Sequence, residues 1–126
     1  MHVLVLGAAG MLGRKLVSRL VAEGLGGPVN ALTLVDVVPP AVPAGFAGLV
    51  DARAGDLSAP GVAEACVAGR PDVEFHLAAV VSGEAEADMD KGYRVNLDGT
   101  RLLLEALRAG HWASGGAWRA RVVFAS

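Results

Sequence analysis

Val3-Leu4-Val5-Leu6-Gly7-Ala8-Ala9-Gly10-Met11-Leu12-Gly13 is the stretch on which the fold of this chain turns. Val3 to Leu6 is a continuous apolar run rich in β-branched residues, the pattern of a strand buried on both faces in a parallel sheet. It ends directly on Gly7-x-x-Gly10-x-x-Gly13. After the glycines, Leu12, Leu16, Val17, Leu20 and Val21 recur at helical spacing, so Met11–Ala22 reads as an amphipathic helix. At such a strand-to-helix junction Gly7 permits the tight turn, Gly10 lets backbone approach a pyrophosphate, and Gly13 lets the helix lie close to the strand. The helix N-terminus offers unpaired N–H groups and the positive end of its dipole to phosphates. Three glycines can also serve a tight turn and nothing else. The buried strand before them and the amphipathic helix after them favour the phosphate reading.

Working outward, Gly24, Gly26, Gly27 and Pro28 close the first helix. Leu32–Val35 reads as a second strand ending on Asp36, and Leu49–Ala52 as a short third one. Ser58 can cap a helix from about Ala59 to Ala68, which Gly69, Arg70 and Pro71 stop. Val73–Leu77 reads as a fourth strand. A long helix is expected from about Ala87 to Ala109, with an apolar stripe of Val95, Leu102, Leu103 and Ala106. His111–Gly116 is expected as a loop and Arg121–Ala125 as a fifth strand. Strands alternating with helices require crossovers and a parallel sheet. The expectation is an α/β, Rossmann-type doubly wound parallel sheet that reaches only its fifth strand, in one incomplete domain spanning residues 1–126.

Composition narrows the function. Of 126 residues 53% are hydrophobic, enough to bury a core, and the net charge of −2 gives no electrostatic reason to bind nucleic acid. The apolar stretch Val3–Leu12 is interrupted by Gly7 and Gly10 and is too short to span a bilayer. Only Met1 and His2 precede it, so it lacks the basic start of a signal peptide. The single cysteine, Cys66, reads as a small core residue, and a cytoplasmic setting is expected. His2, His76 and His111 show no ligand spacing, so no metal site is expected.

Several polar residues stand where strands end. Asp36 follows the last glycine by roughly twenty residues, the distance at which a carboxylate accepts hydrogen bonds from an adenosine ribose and repels the additional phosphate of NADP. An exposed loop aspartate or a helix cap is the alternative. Asp56 could accept from an adenine amino group with Leu57 on the ring, or Asp56-Leu57-Ser58 could cap the next helix, and the sequence alone does not choose. His76-Leu77-Ala78-Ala79 ends the fourth strand with small residues that leave room for a ligand over the sheet edge. His76 has no nucleophile at a recognisable distance and reads as an edge or core histidine. Tyr93, Asn96 and Thr100 share a helix stripe. An inward-facing Asn96 would have a hydrogen-bonding task, and a solvated face is the alternative.

Taken in order, Gly7-x-x-Gly10-x-x-Gly13, Asp36, Gly55-Asp56-Leu57, His76-Leu77-Ala78-Ala79, Asn96-x-x-Gly99-Thr100 and Val122-Val123-Phe124-Ala125-Ser126 resemble the extended short-chain dehydrogenases, the NAD-dependent epimerase/dehydratases of sugar metabolism. The resemblance runs the whole length. Met11-Leu12-Gly13-Arg14-Lys15-Leu16, Val81-Ser82-Gly83-Glu84-Ala85-Glu86 and Asp90–Thr100 are most similar to the D-erythronate dehydrogenase subgroup. The resemblance implies NAD as cofactor. Gly7, Gly10, Met11, Leu12 and Gly13 would lie at the pyrophosphate, Asp36 at the ribose, and Asp56 and Leu57 at the adenine. Leu77, Ala78, Ala79 and Val81 would line the nicotinamide side, with Asn96 near the reaction centre and Ser82, Gly83 and Glu84 bordering a sugar-acid substrate. Residues 87–109 would supply a homodimer surface.

One departure limits the expected activity. The family's catalytic Ser would follow Ser126, and its Tyr-x-x-x-Lys would come later still. Tyr93 is the only tyrosine and has Leu97 four residues on, so it cannot substitute. No catalytic residue is assigned, and residues 1–126 are expected to be inactive alone. A nucleotide-sugar epimerase or dehydratase, and a non-catalytic dinucleotide-binding module, are the competing expectations.

Overall fold

The computed structural model describes residues 1–78 and 93–125. Its elements in chain order are β1 (His2–Leu6), α1 (Met11–Glu23), β2 (Ala31–Asp36), β3 (Leu49–Ala54), α2 (Val62–Val67), β4 (Val73–His76), a wide π-helical turn (Tyr93–Gly99) running into α3 (Thr100–Ala113), and β5 (Arg121–Phe124). All five strands pair in parallel, in the order β3-β2-β1-β4-β5. The chain therefore builds outward from β1 in one direction, then returns to the other side of β1 for β4. The direction of winding reverses between β1 and β4, and ligands of such sheets bind beyond the carboxyl ends of the strands at that point.

The inner strands β1, β2 and β4 bury both faces, as apolar strands of a parallel sheet require. Val3, Val5, Leu32, Leu34 and Val73 face α1, where Val17 and Leu20 cover them. Leu4, Leu6 and Val35 face the other way, onto Ala63, Cys66 and Val67 of α2 and Leu103 and Ala106 of α3. Leu103 and Ala106 are the buried positions of the expected apolar stripe. Leu102 is half-buried against the same cluster, and the Val95 side chain lies outside the described residues.

Two helix boundaries differ from the sequence reading. The second helix starts at Val62 and not Ala59, because Pro60-Gly61 intervenes and Gly61 takes φ 82°, a conformation that excludes it from the helix. Ser58 does not cap it. Its N–H and hydroxyl both donate to Asp56 Oδ1, at 2.9 and 2.6 Å, and close a local turn. The third helix runs past Ala109 to Ala113, so the expected loop begins only at Ser114. Gly110 lies within the helix, and the Trp118 ring fills the space a Cβ there would take, 2.7 Å from its position. Gly115 and Gly116, both at positive φ, end the helix instead. Trp118 is held by its indole N–H, which donates to the Pro71 carbonyl at 3.0 Å, and by His111, whose Nδ1–H donates to the Trp118 carbonyl at 2.8 Å. The part of the expected long helix before residue 93 lies outside the described residues.

Candidate functional site

The glycine loop is built from backbone contacts that no side chain would tolerate. Gly7 has φ +88°, and a Cβ there would sit 2.7 Å from the Leu77 carbonyl carbon. A Cβ on Gly13 would collide with the Gly7 carbonyl oxygen and lie 2.8 Å from Ala8 Cα. These two glycines are thus consumed by the fold itself, one in the turn and one where α1 meets β1. Gly10 differs. It is exposed, has φ −74°, and a Cβ there would meet only the Gly7 oxygen, at 3.5 Å. The fold alone does not demand glycine at position 10, whereas a group approaching the loop from outside would.

The loop is docked on the end of β2. Gly7 and Ala8 donate their N–H groups to the Val35 carbonyl, at 2.8 and 3.2 Å. Ala9 donates to Asp36 Oδ2 at 2.9 Å, and Val37 to Asp36 Oδ1 at 2.7 Å. A carboxylate has about four acceptor positions, so each half-buried oxygen of Asp36 keeps acceptor capacity for a further donor. The N-terminus of α1 carries no side-chain cap and no acidic residue in its first turn. Its dipole and N–H groups face a rim where Met11 and Leu12 are 70% and 57% exposed.

The remaining sequence candidates divide. Asp56 follows β3 and holds the Ser58 turn. Leu57 is only 8% exposed and packs with Leu6, Val35 and Ala63, so its side chain offers little surface to a ligand. Leu77 and Ala78 close against Gly7, with the Leu77 N–H donating to the Leu6 carbonyl at 2.8 Å. Ala79, Val81, Ser82, Gly83, Glu84 and Ser126 lie outside the described residues. Asn96 is exposed on the π-helical turn, while Thr100, four residues on, points inward to His76. His76 is 6% exposed, as a core histidine should be, and burial lowers its pKa from the ordinary value.

Sequence reasoning missed Glu74. It lies on a central strand between Leu4 of β1 and Val122 of β5, is wholly buried, and neither carboxyl oxygen has a hydrogen-bond partner among the described residues. Burial pushes its pKa up to about 7. The signal was present, since a charged residue inside an otherwise apolar strand requires an explanation. Burial likewise raises the pKa of the Cys66 thiol. Among the described residues no group of three or more His, Cys, Asp or Glu could hold a metal ion, and no helix is long and apolar enough to cross a membrane.

Residues 3–126 match the NAD dependent epimerase/dehydratase family. The chain belongs to this family. The chain is similar to a D-erythronate dehydrogenase of Cupriavidus necator, 48% identical over an alignment 118 residues long that covers 86% of this chain and 35% of that protein. Among solved structures, a nucleoside-diphosphate-sugar epimerase from Agrobacterium tumefaciens superposes with a TM-score of 0.93 at 61% identity, covering 98% of this chain and 36% of that one. A uronate dehydrogenase from the same organism, solved as a point mutant complexed with NAD, gives a TM-score of 0.74 at 32% identity, over 99% of this chain and 40% of that one. The chain spans about a third of the length of the curated relatives it matches. The family is NAD-dependent, and the doubly wound parallel sheet of this chain is the fold of these epimerases and dehydrogenases.

Proposed function

We propose that this chain is the NAD-binding portion of an oxidoreductase that oxidises a sugar acid of the D-erythronate type by hydride transfer to NAD. The observation that carries the reading is the pairing of an exposed glycine, Gly10, with the Asp36 carboxylate on one loop. Gly10 leaves space for a pyrophosphate at the uncapped end of α1, and Asp36 keeps acceptor positions for two ribose hydroxyls. Gly7 and Gly13 shape the loop, with Met11 and Leu12 on its rim. Asp56 lies toward the adenine, with Leu57 supporting it from the core. Leu77 and Ala78 line the nicotinamide side, a role the family resemblance also implies for Ala79 and Val81, and Asn96 stands near the reaction centre. When bound, the nicotinamide ring supplies the hydride acceptor, and the protein's task is to orient it and exclude water.

The sugar-acid assignment rests on the D-erythronate dehydrogenases among the relatives. The strong likeness to a nucleoside-diphosphate-sugar epimerase favours a second reading, in which the same nucleotide site serves an epimerase. Both readings share NAD and differ in substrate. Leu97 and Leu104, 55% and 45% exposed and seven residues apart, support a homodimer through residues 87–109, and the lone buried Cys66 suits the cytoplasm. Assay of a polypeptide extended through a Tyr-x-x-x-Lys segment, with D-erythronate and with nucleoside-diphosphate sugars, tests the substrate. NADH formation with D-erythronate supports the leading reading. Epimerised sugar without net NADH supports the second.

A further inference from the structure

His76 is the last residue of β4, and its backbone is fixed on both sides. The Ala125 N–H donates to its carbonyl at 3.4 Å, and the next residue, Leu77, is bonded to Leu6. The ring lies edge-on to Phe124 with centroids 5.3 Å apart. Its Nε2 is 2.9 Å from the Thr100 hydroxyl, while Nδ1 is buried without a hydrogen-bond partner among the described residues. The polar requirement of an almost fully buried imidazole therefore rests on one hydroxyl, contributed by the first residue of α3.

That bond joins the end of β4 to the start of α3. Leu77 and Ala78, immediately after His76, pack on Gly7 of the phosphate loop. Asn96 stands four residues before Thr100, on the turn that leads into α3. From this geometry we propose that His76 is a positioning residue, which through Thr100 sets the strand end at Leu77-Ala78 and the Asn96 turn at the spacing the dinucleotide requires. The proposal rests on the dinucleotide reading above. Removing the Thr100 hydroxyl leaves a buried ring with no partner on either nitrogen, a cost the fold relieves by shifting the strand end or the helix start.

The test is NAD titration by calorimetry on the native 126-residue chain and on Thr100→Val, Thr100→Ser, His76→Phe and the Thr100→Val/His76→Phe double variant, each checked for folding by circular dichroism. Thr100→Val is expected to raise the NAD Kd about tenfold, the equivalent of one lost hydrogen bond. Thr100→Ser, which keeps the hydroxyl, should stay near the native value, and the double variant should bind no worse than the weaker single one, because both changes break the same link. A folded Thr100→Val with native affinity overturns the proposal, even if it melts earlier, since the bond would then be structural only. If His76→Phe and Thr100→Val weaken binding additively, the pair does not act as one link and the proposal also fails. Absence of NAD binding by the native chain would overturn the dinucleotide reading itself, and this inference with it.

Discussion

The Ala9 N–H donates to Asp36 Oδ2 at 2.9 Å, so the residue read as a ribose acceptor is also a strut of the glycine loop. The two tasks do not compete, because the backbone takes one acceptor position on each carboxylate oxygen. The strut fixes where the carboxylate stands before any ligand arrives, and its charge opposes a 2′-phosphate. Asp36→Ala should weaken NAD binding by about tenfold or more, as loss of hydrogen bonds to a charged acceptor worth ~1.5–3 kcal/mol each would require. NADP should lose much less, since the repulsion disappears too. Titrations of both dinucleotides on both proteins measure the change in ratio, and an unaltered ratio would remove Asp36 from the site.

The three glycines should separate by phenotype. Gly10→Val should abolish NAD binding while preserving the circular dichroism spectrum, because φ −74° suits any residue and the added side chain meets the ligand's space before it meets protein. Gly13→Ala should instead destabilise the fold by roughly 1–3 kcal/mol, as overpacking against rigid backbone does. Equal destabilisation by the two in urea unfolding would mean that position 10 is structural as well.

Much of this was legible locally. The run Val3–Leu6, the glycine spacing and the helical period after it act over a few residues, and β1, the loop and α1 followed from them. The errors arose where a single contact or backbone angle, rather than residue type and period, decides. Ser58 has the chemistry of a cap, yet Asp56 takes its hydroxyl and Gly61 delays the helix. The helical pattern was read to about Ala109, but the helix continues through Gly110, against which the Trp118 ring packs, to Ala113. Thr100 and Asn96 share a stripe in sequence, and only the position of β4 shows that Thr100 points in while Asn96 is exposed. The strand order could not be read from local pattern, because pairing of β1 with β4 depends on contacts some seventy residues apart.

Glu74 should make stability pH-dependent. Its carboxyl holds a proton more tightly in the folded chain than in the unfolded one, with the pKa raised from 4.5 to about 7. The stability associated with that proton is complete below about 4.5 and is lost as pH rises through about 7. The raised value corresponds to roughly 3 kcal/mol at pH 8. Glu74→Val, which fits the apolar neighbours Leu4 and Val122, should be more stable than the native chain at pH 8, by an amount that shrinks toward pH 5. Urea midpoints across that range give the difference, in which contributions common to both proteins, His76 among them, cancel. A constant difference at all pH values would show that Glu74 does not titrate in this window.

Residues 1–126 alone should give no NADH from D-erythronate at 340 nm. Positioned acid–base groups typically contribute ~10²–10⁴-fold, and this sequence contains no Tyr-x-x-x-Lys to supply them. Turnover by the 126-residue chain would require a catalytic group among its own residues, with the Glu84 carboxylate and His76 the first to substitute.

The central claim is that the Gly10 loop and Asp36 form a site for NAD, and direct calorimetric titration of the 126-residue chain with NAD and, separately, with NADP tests it most directly. Saturable one-to-one binding of NAD, tighter than that of NADP and lost in Gly10→Val, is the predicted result. A folded chain that binds neither dinucleotide, or that binds NADP more tightly than NAD, would contradict it.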